Sequence, residues 1–200
     1  NAQAGARLAQ KTPAHLDEIR AILEDIIKDD RRAAALIADL RRLMTNNAPE
    51  MGEVDLNAVV RATLDLVRSE LLSREIRVSD VLPPGQLEVR GNAAQLQQIL
   101  LNLLLNAADA MDETPRDRRN IVLRTQVRED GWRELSVRDV GAGLSEADLD
   151  PFLAFATTKP DGLGLGLSIS RTIAEAHRGT IDFDRTVTEG ARVVLALPPP

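Results

Sequence analysis

The stretch from Asn92 to Met111 limits what this chain can fold into more than any other part of it. Asn92 is a helix-capping residue type, and the run that follows is Leu-rich at helical spacing. Within it, Gln98-Ile-Leu-Leu-Asn102-Leu-Leu-Leu-Asn106-Ala-Ala-Asp109-Ala110 sets two Asn residues four apart, on one face of an otherwise apolar helix. Burying an amide unpaired costs roughly 1–3 kcal/mol, so each must find either an internal hydrogen bond or a ligand.

The rest of the chain supplies strands to cover that helix. Strands are predicted at Val54–Leu56, Ile76–Leu82, Leu87–Val89, Ile121–Arg128, Glu134–Val140, Thr180–Asp184 and Arg192–Leu197. Further helices are predicted over Asn57 to about Ser73 and about Leu163 to Ala176. Asp130-Gly131 marks a tight hairpin. The fold class is α+β, a two-layer helix-and-sheet sandwich over residues 54–200. With aromatics at only 2%, its core must be built from Leu, Ile, Val and Ala.

Ahead of this domain, Leu16, Ile19, Ile22, Leu23, Ile26, Ile27, Ala33, Ile37, Leu40 and Leu43 recur at three- and four-residue spacing between charged residues, as in one long amphipathic helix. Thr12-Pro13 starts it, and Ala2 to Gln10 reads as the end of a preceding helix. Residues 1–46 are therefore expected to form part of an antiparallel helical hairpin that buries its stripe in a homodimeric four-helix bundle. The turn-forming run Thr45-Asn-Asn-Ala-Pro-Glu-Met-Gly52 marks a linker, assigned to residues 47–53.

Charge and composition exclude several functions. A formal charge of -6 argues against a nucleic-acid surface, and acidic residues interrupt the Arg-rich turns. Without cysteine there is neither a disulfide framework nor a thiolate metal site, which suits a reducing, cytoplasmic compartment. No stretch approaches the roughly 20 apolar residues of a membrane helix. The start at Asn1, with neither Met nor a signal pattern, is expected to lie inside a longer protein.

Three more motifs carry chemistry. Asp139-Val-Gly141-Ala-Gly143 ends a strand with a carboxylate beside two glycines that let a ligand approach closely. Phe152-Leu-Ala-Phe155-Ala-Thr157-Thr158-Lys159 places hydroxyls and a cation after two aromatics. Gly162-Leu-Gly164-Leu-Gly166-Leu-Ser168 opens a helix and exposes backbone N–H groups at its positive end, where phosphate binds well. This glycine run fits neither a Walker pattern nor a dinucleotide fingerprint.

Taken in order, the four motifs resemble the N, first glycine, F and second glycine boxes of the sensor histidine kinases, and His177-Arg178-Gly179 resembles that family's His-Gly-Gly turn. The resemblance implies an ATP-binding domain of the GHKL or Bergerat type. It implies ATP contacts from Asn102, Asn106, Asp139, Gly141, Gly143, Thr157, Thr158, Lys159, Gly162, Gly164, Gly166 and Leu167. Asn106 would hold a Mg²⁺ ion bridging the phosphates, a suitable role for an amide oxygen, and Asp139 would accept from the adenine amino group. Residues Leu144 to Asp161 would form a mobile lid. Four positions depart from the pattern. Ala142 and Ala154 stand where Pro is usual, Arg178 replaces a Gly with no expected harm, and Asp109 stands where some members carry Lys.

The resemblance further implies transfer of the ATP γ-phosphoryl group to a histidine, then to the receiver domain of a response regulator. The acceptor box is expected just upstream of Asn1, because His15 is followed by Leu and lacks the family's acidic neighbour. The alternatives are an ATP-driven conformational machine on the same fold, which would need a catalytic Glu where Gln98 and Asn102 stand, and a non-catalytic nucleotide-binding scaffold.

Overall fold

The computed structural model describes residues 50–144, 150–154 and 164–200, all within the unit that runs from Pro49 to Pro200. The expected hairpin of residues 1–46, its stripe from Leu16 to Leu43 and His15 lie outside the described residues.

The first strand, β1 (Gly52–Asp55), opens two residues earlier than the sequence predicts and leads directly into helix α1 (Leu56–Ser73). Asp55 caps that helix by accepting from Asn57 N–H at 3.0 Å, and the same oxygen accepts from Leu87 N–H at 2.9 Å. One carboxylate thus fixes both a helix start and the chain entering the strand that begins at Glu88. Leu56, Val59, Val60, Thr63, Val67 and Leu71 form the buried face of α1 at three- and four-residue spacing. The helix stops at Arg74; Glu75 takes φ 56°, and Ile76 N–H turns back to Leu71 O at 2.9 Å.

Strands β2 (Arg77–Val81) and β3 (Glu88–Gly91) precede α2 (Ala93–Ala110), which Asn92 caps as expected by accepting from Gln95 N–H at 3.1 Å. A short 3₁₀ turn, Arg116–Arg118, leads into β4 (Asn120–Val127). The hairpin to β5 (Arg133–Arg138) turns at Asp130-Gly131, with Gly131 at φ 81°. Helix α3 (Gly166–Ala176), β6 (Thr180–Phe183) and β7 (Arg192–Leu197) complete the domain.

Five strands form one sheet in the order β2-β4-β5-β7-β6, with only β2 and β4 parallel, while β1 and β3 form a separate antiparallel pair. Helices α2 and α3 lie against the large sheet and α1 against α2, giving the expected two-layer arrangement. The alternation along β4 shows why: Ile121, Leu123 and Thr125 are buried while Arg124 is exposed. Leu96, Ile99, Leu100 and Leu104 of α2 are fully buried in one cluster with Ile121, Leu123, Leu135 and Leu195. Truncating such a Leu to Ala costs about 2–5 kcal/mol, so α2 is the spine of the core.

Two buried polar residues pin this core at points far apart in sequence. Asn57 donates to Pro83 O and Gly85 O at 3.2 and 3.1 Å and accepts from Thr125 Oγ1 at 2.6 Å, so it is fully satisfied on both ends of its amide. His177 closes α3. Its Nε2 accepts from Asn92 N–H at 3.0 Å, which leaves the proton on Nδ1 to donate to Ile173 O at 2.8 Å. The next residue, Arg178, sits at φ 57°, a left-handed position that suits Gly. Replacing the family's Gly there is therefore not free of cost, contrary to the sequence expectation.

Candidate functional site

Asn102 and Asn106 lie one turn apart on the same half-buried face of α2, as their spacing requires. Asn102 uses its amide N–H groups inside the protein. They donate to Gly166 O at 3.1 Å and Ser170 Oγ at 3.4 Å, while the Ser170 hydroxyl itself donates to Gly166 O at 2.9 Å. The first turn of α3 is thereby tied to the middle of α2. The demand that a buried amide find a partner is met for Asn102 by a backbone 64 residues away.

The second component follows β5. Asp139 is buried, and two backbone N–H groups donate to its Oδ1, from Gly141 at 2.8 Å and Ala191 at 3.2 Å. Burial pushes its carboxyl above the ordinary range, opposed by those N–H groups and by Arg138. Its loop fits against two backbones with no room for side chains. A Cβ on Gly141 would meet Ala110 O at 2.4 Å, and Ala142 N–H donates to the same oxygen at 3.1 Å. Gly143, at φ 72°, would meet Gly190 O at 2.8 Å, and a Cβ on Gly190 would meet Asp139 O at 2.1 Å. Gly190 is thus a site residue that motif reading missed; its only signal is a turn glycine just ahead of a predicted strand.

The third component is the start of α3. Gly164 sits at φ 65°, and the cap residue Leu165 provides no side-chain hydrogen bond. The first turn of α3 carries no acidic residue. Its N–H groups and the half-buried Gly166 and Leu167 therefore present a positive helix end that no acidic residue of its own first turn offsets. The remaining expected phosphate contacts, Thr157, Thr158, Lys159 and Gly162, lie outside the described residues, as does Phe155.

Phe152 is described and buried. The Arg171 guanidinium lies 4.2 Å from its ring centroid, and Phe183 packs on it at 5.4 Å in a tilted arrangement. Arg171 also pairs with Asp150 through both terminal guanidinium nitrogens, which holds the Asp150 carboxyl below the usual range. Neither Arg171 nor Asp150 carried a motif signal. Their pairing depends on α3 and the 150–154 segment meeting in space.

Among the described residues, no three His, Cys, Asp or Glu side chains come together to hold a metal ion. Asn106 carries an amide oxygen, a hard donor of the kind Mg²⁺ takes singly or in pairs from a protein before completing its shell with substrate phosphates and water.

Residues 91–200 match the family model described as histidine kinase-, DNA gyrase B-, and HSP90-like ATPase. The sensor histidine kinase TmoS of Ectopseudomonas mendocina is 31% identical over 200 residues, covering 99% of this chain and 21% of that protein. The sensor histidine kinase ZraS of Klebsiella oxytoca is 33% identical over 193 residues, covering 95% of this chain and 40% of that protein. The chain thus spans less than half the length of these relatives. Among solved structures, the nucleotide-free catalytic domain of the histidine kinase ThkA superposes with a TM-score of 0.65 at 28% identity, over 74% of this chain and 95% of that one. The mycobacterial sensor histidine kinase MprB gives a TM-score of 0.65 at 25% identity, over 76% of this chain and 99% of that one.

Proposed function

Since this chain belongs to the histidine kinase-, DNA gyrase B-, and HSP90-like ATPase family, we propose that it is the ATP-binding catalytic part of a sensor histidine kinase. The observation that carries this reading is Asp139. A carboxylate buried at a strand end, held by two backbone donors on Oδ1 and flanked by glycines with no space for a side chain, is built to accept from a flat ligand's amino group. Adenine carries such a group where guanine carries a carbonyl.

The residues divide the work along the nucleotide. Asp139, Gly141 and Gly143 take the base. Asn106 offers an amide oxygen to Mg²⁺, whose chemistry when bound is to neutralise phosphate charge. The start of α3, with Gly164, Gly166 and Leu167, holds the phosphates, joined by Thr157, Thr158, Lys159 and Gly162. Asn102 acts indirectly, keeping that helix start in register with α2. Catalysis of phosphoryl transfer rests largely on such positioning and charge neutralisation. The stripe on α2 is amide at Gln95, Gln98 and Asn102, and none of these can take a proton from water as a carboxylate would. That favours transfer to a histidine over hydrolysis.

In this reading the γ-phosphoryl group passes to a histidine nitrogen on a helical hairpin and then to the receiver domain of a response regulator, with residues 1–46 contributing to a homodimer. The test is calorimetry of the 200-residue chain with ATP and GTP in Mg²⁺, followed by incubation with radiolabelled ATP and a separate hairpin carrying a His-Glu box. Selective ATP binding and acid-labile label on the hairpin are expected. Equal binding of GTP would remove the role of Asp139, and a folded hairpin that stays unlabelled would favour the scaffold reading.

A further inference from the structure

We propose that Arg74 is a charge-compensating residue of the nucleotide site, which screens the phosphates from the carboxylates of Asp109 and Asp112; this rests on the nucleotide reading above. Arg74 belongs to no motif and lies at the far end of α1, yet its guanidinium reaches the last turn of α2. One of its terminal nitrogens donates to Asp109 Oδ1 at 2.7 Å and lies 3.7 Å from Asp112 Oδ1, and its Nε donates to Glu70 at 2.8 Å.

The position of Asp109 gives this pairing a consequence beyond the α1–α2 contact. Asn102, Asn106 and Asp109 follow one another at four- and three-residue spacing, so Asp109 continues the polar face of α2 one turn past the proposed metal ligand, about 4.5 Å along the helix axis. Its neighbour Ala110 supplies the carbonyl on which the Asp139 loop rests. A carboxylate placed there repels a triphosphate unless a cation sits against it, and the half-buried setting lowers the screening by water.

The cation is held in place as well as supplied. The Arg74 carbonyl accepts from Arg119 at 2.9 Å, and the same Arg119 guanidinium donates to Asp112 O at 2.8 Å and Thr114 O at 2.9 Å. Arg119 therefore ties the end of α1 to the loop after α2, which limits how far the Arg74 side chain moves from Asp109. Arg74 meets Glu70, Asp109 and Asp112 together, so removing it takes one positive charge from beside all three carboxylates.

Charge compensation and simple bracing differ in what they do to ligands of different charge. The experiment measures affinity of the 200-residue chain and of Arg74→Gln for ATP, ADP and adenosine, at low and high salt. An unscreened charge near the phosphates is expected to weaken ATP by about three- to tenfold at low salt, ADP less and adenosine little, with the difference shrinking in high salt. Arg74→Lys, which keeps the charge, should retain most ATP affinity, and adding Asp109→Asn to Arg74→Gln should restore it. Equal losses for all three ligands, or no loss for ATP, would overturn the proposal. If Arg74→Gln does not fold, Asp109→Asn alone decides: a higher ATP-to-adenosine affinity ratio supports the proposal and an unchanged ratio refutes it. A wild-type chain that binds none of the three would instead refute the nucleotide reading on which the proposal stands.

Discussion

The buried ring of His177, at the end of α3, accepts at Nε2 the backbone N–H of Asn92, the residue that caps α2, across 3.0 Å. Gly91 lies so close beneath the ring that a Cβ there would come within 2.7 Å of it. With Nδ1 donating to Ile173 O, both ring nitrogens are occupied, so His177 is a structural joint between two helix ends and is not available as a phosphoryl acceptor.

His177→Ala should therefore destabilise the domain by about 2–4 kcal/mol, from a lost buried acceptor for Asn92 N–H and the cavity left by the ring. Urea unfolding measures this directly. In phosphotransfer assays with radiolabelled ATP, no label should appear at His177; label there would contradict the buried geometry.

Asp139→Asn should separate stability from binding. The folded-state carboxyl lies above its unfolded value, so this group favours the fold below the ordinary carboxylate range and that contribution is lost as pH rises through the folded value. At neutral pH the ionised group is a burden on the empty protein. The Asn variant, whose Oδ1 can still accept from Gly141 and Ala191, should melt at or above the wild-type temperature at pH 7, with the gap narrowing as pH falls toward 4. Its ATP affinity should fall about ten- to a hundredfold, because a charge-assisted contact becomes a donor facing a donor. Lower stability of the variant at neutral pH would show instead that the ionised carboxylate stabilises the empty protein.

The two Asn residues of α2 should respond differently. Asn102→Ala removes the donor to Gly166 O and should cost about 1–2 kcal/mol in thermal unfolding, as well as loosening nucleotide binding through α3. Asn106→Ala should abolish the dependence of ATP binding on Mg²⁺. Titrations of ATP with and without Mg²⁺ in each variant test this, and an unaltered Mg²⁺ response in Asn106→Ala would place the metal elsewhere.

Arg178→Gly should stabilise the domain by about 0.5–1 kcal/mol. Relief of the left-handed strain at φ 57° outweighs the extra unfolded-state freedom of glycine. A melting temperature at or below wild type would show that the Arg178 side chain contributes more than its backbone costs.

The sequence by itself determined what depends on neighbours in the chain. The Asn92 cap, the Asp130-Gly131 hairpin, the extent of α1 and the limits of the strands to within two residues all follow from short-range periodicity and turn chemistry, which act over one or two turns of backbone. The sequence also stated the problem posed by Asn102, a buried amide needing a partner. Only the tertiary structure decided the answer, Gly166 O, because hydrogen-bond partners are chosen by which backbones packing brings together. The same holds for the parallel β2–β4 pairing, for Gly190 against Asp139, for Arg171 over Phe152 and for Arg74 on Asp109. Each joins residues at least 19 positions apart through contacts that carry no local pattern, since the free energy that selects them comes from burial and charge in the folded core and not from the preferences of the chain at either end.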